Sequence, residues 1–263
     1  MITLCKACGT SFEKTGTHPQ QCKICEDERQ YVPVTGQQWV DLDTLLATHT
    51  NKWQQHETNL LSLHTLPAFA INQRAFIVRT AEGNILWDCI ATLDDATKTI
   101  ISSLGGLKAI AISHPHYYTT MQDWAAEFNA PIYLHANDRE WIMRDSPWLN
   151  LWQGDSLKLT ADVSLICLGG HFAGGSVLHW ARDEGVLLAG DILQVTPGAN
   201  AVSFMWSYPN MLPLPATSVS EIIRRLREVK FSRLYGAFEG KDIKENAAEI
   251  VQRSGEKYIS CLR

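Results

Sequence analysis

The sequence predicts an α/β protein that carries a small metal-binding module in front of its main domain. The chain has 263 residues, of which 45% are hydrophobic and 19% are charged, and this length can bury a full hydrophobic core without disulfides. Four of its 7 cysteines lie between residues 5 and 25. Beyond residue 60, short apolar runs of strand length alternate with amphipathic segments of helix length, which is typical of layered α/β packing.

Composition and charge narrow the classes of partner. The net charge is -5, from 23 basic and 28 acidic residues, and no long basic run is present, so a nucleic-acid partner is not expected. No apolar run approaches the roughly 18 residues of a membrane helix, and the N-terminus has no signal-peptide pattern. We therefore expect a cytoplasmic protein with reduced thiols, a small-molecule substrate and no membrane partner. Whether it forms a homo-oligomer is left open.

The N-terminal cysteines form two matched pairs. Cys5 and Cys8 make one C-x2-C turn, and Cys22 and Cys25 make a second one thirteen residues later. Two such turns supply four sulfurs to one tetrahedral shell, which predicts structural zinc, although iron accepts the same ligands. The pattern resembles a zinc ribbon or a short rubredoxin-like knuckle, and we assign it to residues 1–33. A closed four-sulfur shell leaves no position for catalysis.

The rest of the chain divides into a connector, residues 34–60, and a main domain, residues 61–263. The connector is expected to hold a short helix that starts near Asp41, and residues 202–209 are expected to form an irregular loop. The predicted strands are Leu61–Leu66, Phe69–Thr80, Ile85–Trp87, Leu107–Ile112, Ile132–Leu134, Ser156–Leu159, Ser164–Leu168, Val177–Trp180, Val186–Ala189 and Arg233–Tyr235, and the predicted helices are Asp94–Ser103, Thr119–Phe128, Asn137–Met143, Ala216–Val229 and Ile243–Ser254.

Side chains that can bind a metal follow three of the predicted strands. His114 and His116 come shortly after the predicted strand Leu107–Ile112. His171 follows two glycines after the strand Ser164–Leu168, and Asp191 follows Gly190 after the strand Val186–Ala189. Because strand ends of one sheet share a rim, these four side chains can converge. Glycine before a ligand lets the backbone turn sharply.

The His-Pro-His segment suits a shared ion. Pro115 biases His114 toward an extended backbone, and residues i and i+2 of an extended chain point the same way. His114 and His116 are thus expected to bind one metal together. With His171 and Asp191 they form a plausible zinc shell with space for water.

This ordered set resembles the metallo-β-lactamase-fold hydrolases over residues 60–255. The resemblance includes Trp87-Asp88, where family members carry an aspartate that buttresses the site. It implies a four-layer αββα sandwich with the metal at one edge of the two β layers.

The sequence also departs from that family. The usual H-x-H-x-D-H signature has Tyr118 at its aspartate position and Thr119 at its last histidine position, and residues 235–240 lack the family's final histidine ligand. Three ligands of the second metal are therefore missing, while the first site is kept. A further alternative is that His135 or Glu239 contributes to a rebuilt second metal site.

These residues suggest a mechanism and leave an alternative. One zinc on the three histidines would provide a hydroxide that attacks a small-molecule ester, thioester, lactone or amide. Asp191 would be the fourth ligand or would orient and deprotonate the water, and Tyr118 would donate a hydrogen bond to the oxyanion. The alternative is a degenerate, non-catalytic member of the same fold that acts as a zinc-containing binding or scaffold module, so whether it is an enzyme stays open.

Overall fold

Two β-sheets packed face to face, each with helices on its outer side, form the core of the protein. The computed structural model describes residues 2–262. The first large sheet has seven strands in the order β10-β9-β8-β7-β6-β5-β4. Its strands are β4 (Thr50–Glu57), β5 (Leu60–Leu66), β6 (Ala75–Thr80), β7 (Gly83–Trp87), β8 (Ala109–Ala111), β9 (Ile132–His135) and β10 (Leu149–Trp152), numbered after three strands of the N-terminal module described below.

The second large sheet has six strands in the order β11-β12-β13-β14-β19-β20. Four of its strands are consecutive, and the last two follow a pair of two-stranded hairpins. The strands of this sheet and of the hairpins are β11 (Ser156–Lys158), β12 (Val163–Cys167), β13 (Ser176–Trp180), β14 (Val186–Leu188), β15 (Gln194–Val195) with β16 (Val202–Ser203), β17 (Met205–Ser207) with β18 (Leu212–Pro213), β19 (Arg233–Tyr235) and β20 (Asp242–Ile243).

The N-terminal module is an antiparallel three-stranded sheet with the order β2-β1-β3. Its strands are β1 (Ile2–Cys5), β2 (Ser11–Glu13) and β3 (Trp39–Asp41). The helices of the protein are α1 (Lys23–Glu26), α2 (Leu42–Leu46), α3 (Asp95–Ser103), α4 (Met121–Phe128), α5 (Ala216–Leu226) and α6 (Ala247–Cys261), with 3-10 turns at Pro115–Tyr117 and Ala136–Trp141.

Strand alternation produces the layers. In β6, Phe76 and Val78 face the second sheet, while Ala75 and Ile77 pack under α3 and α4. Successive residues of a strand point to opposite faces, so a strand that is apolar throughout must be covered on both sides. On the second sheet, Leu187 packs among side chains of α5 and α6. The predicted αββα sandwich is confirmed.

Two predicted segments contain more regular structure than expected. The connector holds β3, α2 and β4, and β4 is the edge strand of the seven-stranded sheet. Its sequence is polar apart from Trp53, so it lacks the alternation that marks a half-buried strand. The expected loop over residues 202–209 holds β16 and β17, whose strands of two or three residues are too short for a periodic signal.

None of the helices within residues 2–262 is both long enough and apolar enough to span a lipid bilayer.

Candidate metal centre

His114, His116, His171 and Asp191 meet at one edge of the sandwich. One ligand atom from each residue lies within 4.8 Å of the ligand atoms of the other three. The four side chains belong to residues that are only 1% to 5% exposed. His114 and His116 follow β8 of the seven-stranded sheet, whereas His171 follows β12 and Asp191 follows β14 of the six-stranded sheet. The predicted convergence is confirmed, but the expectation that all four ligands follow strands of one sheet was wrong, because the site lies where the edges of two sheets meet.

The histidine pair converges by a different route from the predicted one. His114 has an extended backbone, with φ of -169° and ψ of 168°. The next residues, Pro115–Tyr117, form a 3-10 turn rather than a continued strand. This turn brings His116 back toward His114, and their ring centroids lie 5.0 Å apart. Proline fits the first position of the turn because it needs no amide donor there.

Glycines shape the approach to the other two ligands. Gly169 and Gly170 have φ of 67° and 83° before His171, a conformation that costs glycine little. Gly190, directly before Asp191, has φ of 52°. A Cβ atom at Gly190 would lie 2.4 Å from the hydroxyl of Ser113, so this position excludes any larger residue.

A buried hydrogen-bonded chain supports His114 from behind. Asp88 Oδ1 accepts a 2.7 Å hydrogen bond from the Ser113 amide, and Ser113 Oγ lies 2.8 Å from Nδ1 of His114. With Nδ1 engaged, Nε2 of His114 is left to face the cluster. Burial raises the pKa of Asp88 to about 7, against the lowering effect of these Ser113 hydrogen bonds. Asp88 thus buttresses the site, as the resemblance implied.

The remaining distances fit a tetrahedral ion. Nδ1 of His171 lies 3.1 Å from the Met205 carbonyl, which can only accept, so the lone pair of a neutral His171 is on Nε2. That Nε2 lies 3.2 Å from Nδ1 of His116, and Nε2 of His114 lies 3.6 Å from Oδ2 of Asp191. Two ligands on a tetrahedral zinc are about 3.3 Å apart, since each bond is about 2.0–2.1 Å.

The electrostatics of the site favour a cation. Burial lowers the pKa of His114 and His116 well below the usual range and that of His171 to about 4. These imidazoles are therefore neutral ligands with free lone pairs. Nε2 of His114 and Oδ1 of Asp191 are buried and have no hydrogen-bond partner within residues 2–262. Unpaired buried acceptors are costly, and a divalent metal ion would satisfy them.

The tyrosine beside the cluster is Tyr117, one position from the predicted Tyr118. The ring of Tyr117 packs 4.4 Å from that of His114, centroid to centroid, and its buried hydroxyl has no hydrogen-bond partner among the described residues. Burial, and then the charge of Asp191, raise the pKa of Tyr117. Tyr118 packs in the core beneath the seven-stranded sheet, and Asp138 is the charge that acts on its hydroxyl.

The four N-terminal cysteines form a second cluster that fits a metal. All four are buried, and their sulfurs pair at 3.5 Å, Cys5 with Cys25 and Cys8 with Cys22. Sulfurs on a tetrahedral zinc are about 3.8 Å apart for bonds of about 2.3 Å. The Gln37 amide donates a 3.0 Å hydrogen bond to Cys5 Sγ, as expected toward a thiolate. The module therefore fits a small zinc ribbon.

Two residues considered for a second metal lie elsewhere. His135 accepts a hydrogen bond from the Asn137 amide and packs against Trp152. Glu239 pairs with Lys52 and lies 3.6 Å from His64 at the surface. Neither belongs to the four-residue cluster.

Comparison with known proteins identifies a close relative. No family model matches the chain. The sequence is 46% identical over 264 residues to "Uncharacterized protein YmaE" of Bacillus subtilis (strain 168), and the match covers 98% of this chain and 96% of that protein.

Several solved structures with the same fold are named as metallo-β-lactamases. VMB-1 matches with a TM-score of 0.60 and 12% identity, over 81% of this chain and 98% of that one. DIM-1 metallo-β-lactamase matches at 0.59 and 13%, over 79% and 97%, and FIM-1 from Pseudomonas aeruginosa in the mono-zinc form matches at 0.58 and 14%, over 80% and 96%. The chain therefore has the metallo-β-lactamase fold and belongs to the same family as Bacillus subtilis YmaE.

Proposed function

We propose that the protein is a hydrolase that uses one metal ion, held by His114, His116, His171 and Asp191, on a small-molecule ester, thioester, lactone or amide. One observation carries the proposal. Four buried ligand atoms lie within 4.8 Å of one another, and two acceptors of these residues, Nε2 of His114 and Oδ1 of Asp191, have no hydrogen-bond partner among residues 2–262.

The ligands divide the chemistry between them. A divalent ion bound to this set acidifies water and polarises a carbonyl oxygen. Oδ2 of Asp191 faces His114, which leaves Oδ1 free to accept a proton or to orient a nucleophile. The Tyr117 hydroxyl has no hydrogen-bond partner among residues 2–262 and lies close enough to Asp191 for that carboxylate to raise its pKa. In this proposal it donates a hydrogen bond to the developing oxyanion. Tyr118, the donor expected from the sequence, packs in the core, so the proposal gives this role to Tyr117.

Two observations support a single ion in place of two. Tyr118 and Thr119 occupy positions where the family signature has ligands of the second metal, and no other acidic, cysteine or histidine side chain joins the four within the described chain. Phosphodiester hydrolysis commonly uses two metals, so acyl substrates are favoured.

The test is a panel of acyl esters, thioesters, lactones and amides, assayed with the zinc-loaded protein. His116→Ala should lower the rate on any substrate turned over by at least about 100-fold, because loss of a ligand costs more than loss of a group behind it. His179→Ala is the matched control, since His179 is a histidine that bonds only the Lys230 carbonyl. Equal rates in wild type and His116→Ala would remove the hydrolase proposal.

The burial of the site favours a second candidate, a non-catalytic scaffold that holds a metal. Residues that are at most 5% exposed leave little room for a substrate in this conformation. A scaffold predicts a full metal complement with no turnover on any member of the panel. Turnover therefore separates the scaffold from the hydrolase. Metal content tests what both share, because about two ions per chain indicate that both sites are loaded and about one ion indicates the cysteine cluster alone.

A further inference from the structure

One aromatic side chain packs against the rings of all three histidine ligands. The ring of Phe172 contacts all three histidine rings, with centroid distances of 5.6 Å to His114, 4.9 Å to His116 and 5.2 Å to His171. Phe172 is itself only 1% exposed. Another group of the protein must therefore cover the face of the Phe172 ring that points away from the histidines.

That group is Arg29, which comes from the N-terminal module. Its guanidinium carbon lies 3.8 Å from the centroid of Phe172 and 4.6 Å from that of Trp206. Nη1 of Arg29 donates a 3.3 Å hydrogen bond to the carbonyl of His171, a metal ligand. Asp27 pairs with the same guanidinium through two hydrogen bonds of 2.5 Å and 2.9 Å. A planar cation between aromatic rings is an arrangement that lysine cannot reproduce.

The backbone on both sides of Arg29 is fastened to hairpin β17–β18. We call residues 27–30 the capping segment. The Asn210 side chain donates 3.0 Å hydrogen bonds to the carbonyls of Glu28 and Gln30, and Ser207 Oγ donates one of 3.1 Å to the carbonyl of Arg29. The Asn210 bonds are exposed or partly buried, whereas the Ser207 bond is buried. Because these bonds join the segment to a hairpin and not to either large sheet, the segment can detach without opening the sandwich core.

The other end of the capping segment is tied to the cysteine cluster. Cys25, one of the four sulfur ligands, lies two residues before Asp27 at the end of the four-residue helix α1. A helix this short has no stability of its own. Trp141 packs against the cysteine cluster on one side and lies 5.6 Å from Phe172, ring centroid to ring centroid, on the other. The cysteine cluster therefore holds the segment in place over the site.

We infer that Arg29 is a positioning residue that closes the His/Asp site, and that the capping segment must swing away for substrate or metal to enter or leave. This inference rests on the proposed metal site. It gives the N-terminal module a function in access to that site beyond its own folding. It also explains how ligands as buried as these can serve an enzyme.

The test is the rate at which a chelator removes zinc from the loaded protein, followed with a metal-sensitive dye. His116→Ala identifies the kinetic phase that belongs to the His/Asp site. Arg29→Ala should speed that phase by about tenfold, the effect of losing one cation–π stack and one hydrogen bond. Asn210→Ala, which changes only a surface anchor of the capping segment, should speed it several-fold and keeps the test usable if Arg29→Ala does not fold.

Arg144→Ala is the matched control for this experiment. Arg144 also pairs with a carboxylate, Asp123, and also bonds the N-terminal module through Ser11. Its side chain is 9% exposed, the same fraction as that of Arg29. Because it contacts neither His171 nor Phe172 in the hydrogen bonds and ring contacts of residues 2–262, it should leave the rate of the His/Asp phase within about twofold of wild type.

Chemical rescue separates positioning from general destabilisation. Methylguanidinium, added at low millimolar concentration to Arg29→Ala, should slow zinc release toward the wild-type rate, because the cation can refill the space over Phe172. Wild-type release rates in both Arg29→Ala and Asn210→Ala, with the His/Asp phase present, would overturn this inference and leave the proposed function standing. Absence of that phase from the wild-type protein would overturn both.

Discussion

Ser113 decides which nitrogen of His114 faces the metal ligands. It lies between Asp88 and His114, and its hydroxyl is 2.8 Å from Nδ1. The sequence pointed to Asp88 through the family resemblance, but it held no local signal for Ser113, a common residue in a common position. The same is true of Tyr117, because the 3-10 turn that places it breaks the alternation expected after His114.

Ser113→Ala tests this support at the residue scale. Without the hydroxyl, the ring of His114 is free to change tautomer or to rotate, so the affinity of the His/Asp site for zinc should fall by about tenfold or more. Competition with a chelator of known affinity measures the change. Ser103→Ala, which removes a serine that bonds only within helix α3, should leave the affinity unchanged, and an unchanged affinity in Ser113→Ala would contradict the assigned support.

A buried carboxylate away from the metal ligands gives the stability of the protein a pH dependence. Asp138 is 2% exposed and accepts a 2.7 Å hydrogen bond from the Gly174 amide. Burial raises its pKa to about 6. The folded state therefore binds the proton more tightly than the unfolded state, and this contribution to stability is full below about pH 4 and is lost as pH rises through about 6.

Asp138→Asn keeps the acceptor oxygen and removes the charge. The variant should be more stable than wild type by about 2 kcal/mol at pH 8, and the difference should shrink as pH falls from about 6 to about 4. Urea unfolding at several pH values measures it. A difference that stays constant with pH, or that grows in acid, would show that Asp138 is ionised at no cost in the folded protein.

At the scale of elements, the turn after β14 places Asp191 by means of one glycine. Gly190 combines a left-handed backbone with a space too small for a methyl group beside Ser113. Gly106, with φ of 74°, also has a left-handed backbone, but nothing lies within 4 Å of the position of its Cβ. Gly106→Ala should lower the free energy of unfolding by about 1 kcal/mol, and Gly190→Ala by about 1–3 kcal/mol more. Equal losses in chemical denaturation would contradict the packing argument.

Elements were predictable where their residues alternate between two buried layers. β7, β12, β13 and β14 lie within a residue or two of their predicted positions because both faces of each strand are apolar or partly so. β4 could not be found in this way, since an edge strand needs only one weakly apolar face.

At the scale of the whole molecule, we expect the N-terminal module to need a metal ion for folding and the sandwich not to need one. The module has a core made largely of the four cysteines, whereas the sandwich has three large apolar clusters. We therefore expect metal binding to be the main source of folding free energy for the module.

Removal of zinc should expose the module first. Hydrogen exchange after chelation should become fast for the amides of β1, β2 and the capping segment, while those of β6 and β7 stay protected. Cys22→Ser should give the same pattern without a chelator. Uniform loss of protection across the chain would contradict the independence of the sandwich.

The arrangement of the two metal clusters on one side of the molecule could not be derived from the sequence. The spacing of the cysteines and the order of His114, His116, His171 and Asp191 each predict a local site. The contact between the sites depends on Arg29 and Phe172, which are distant along the chain and belong to no motif.

The central claim is that three histidines and one aspartate bind a metal ion. X-ray anomalous scattering at the zinc edge, from crystals of the zinc-loaded protein, tests it directly. The account predicts two peaks per chain, one among the four cysteine sulfurs and one about 2 Å from the nitrogens of His114, His116 and His171. A single peak at the cysteines, with the three imidazoles hydrogen-bonded to one another or to water, would contradict it.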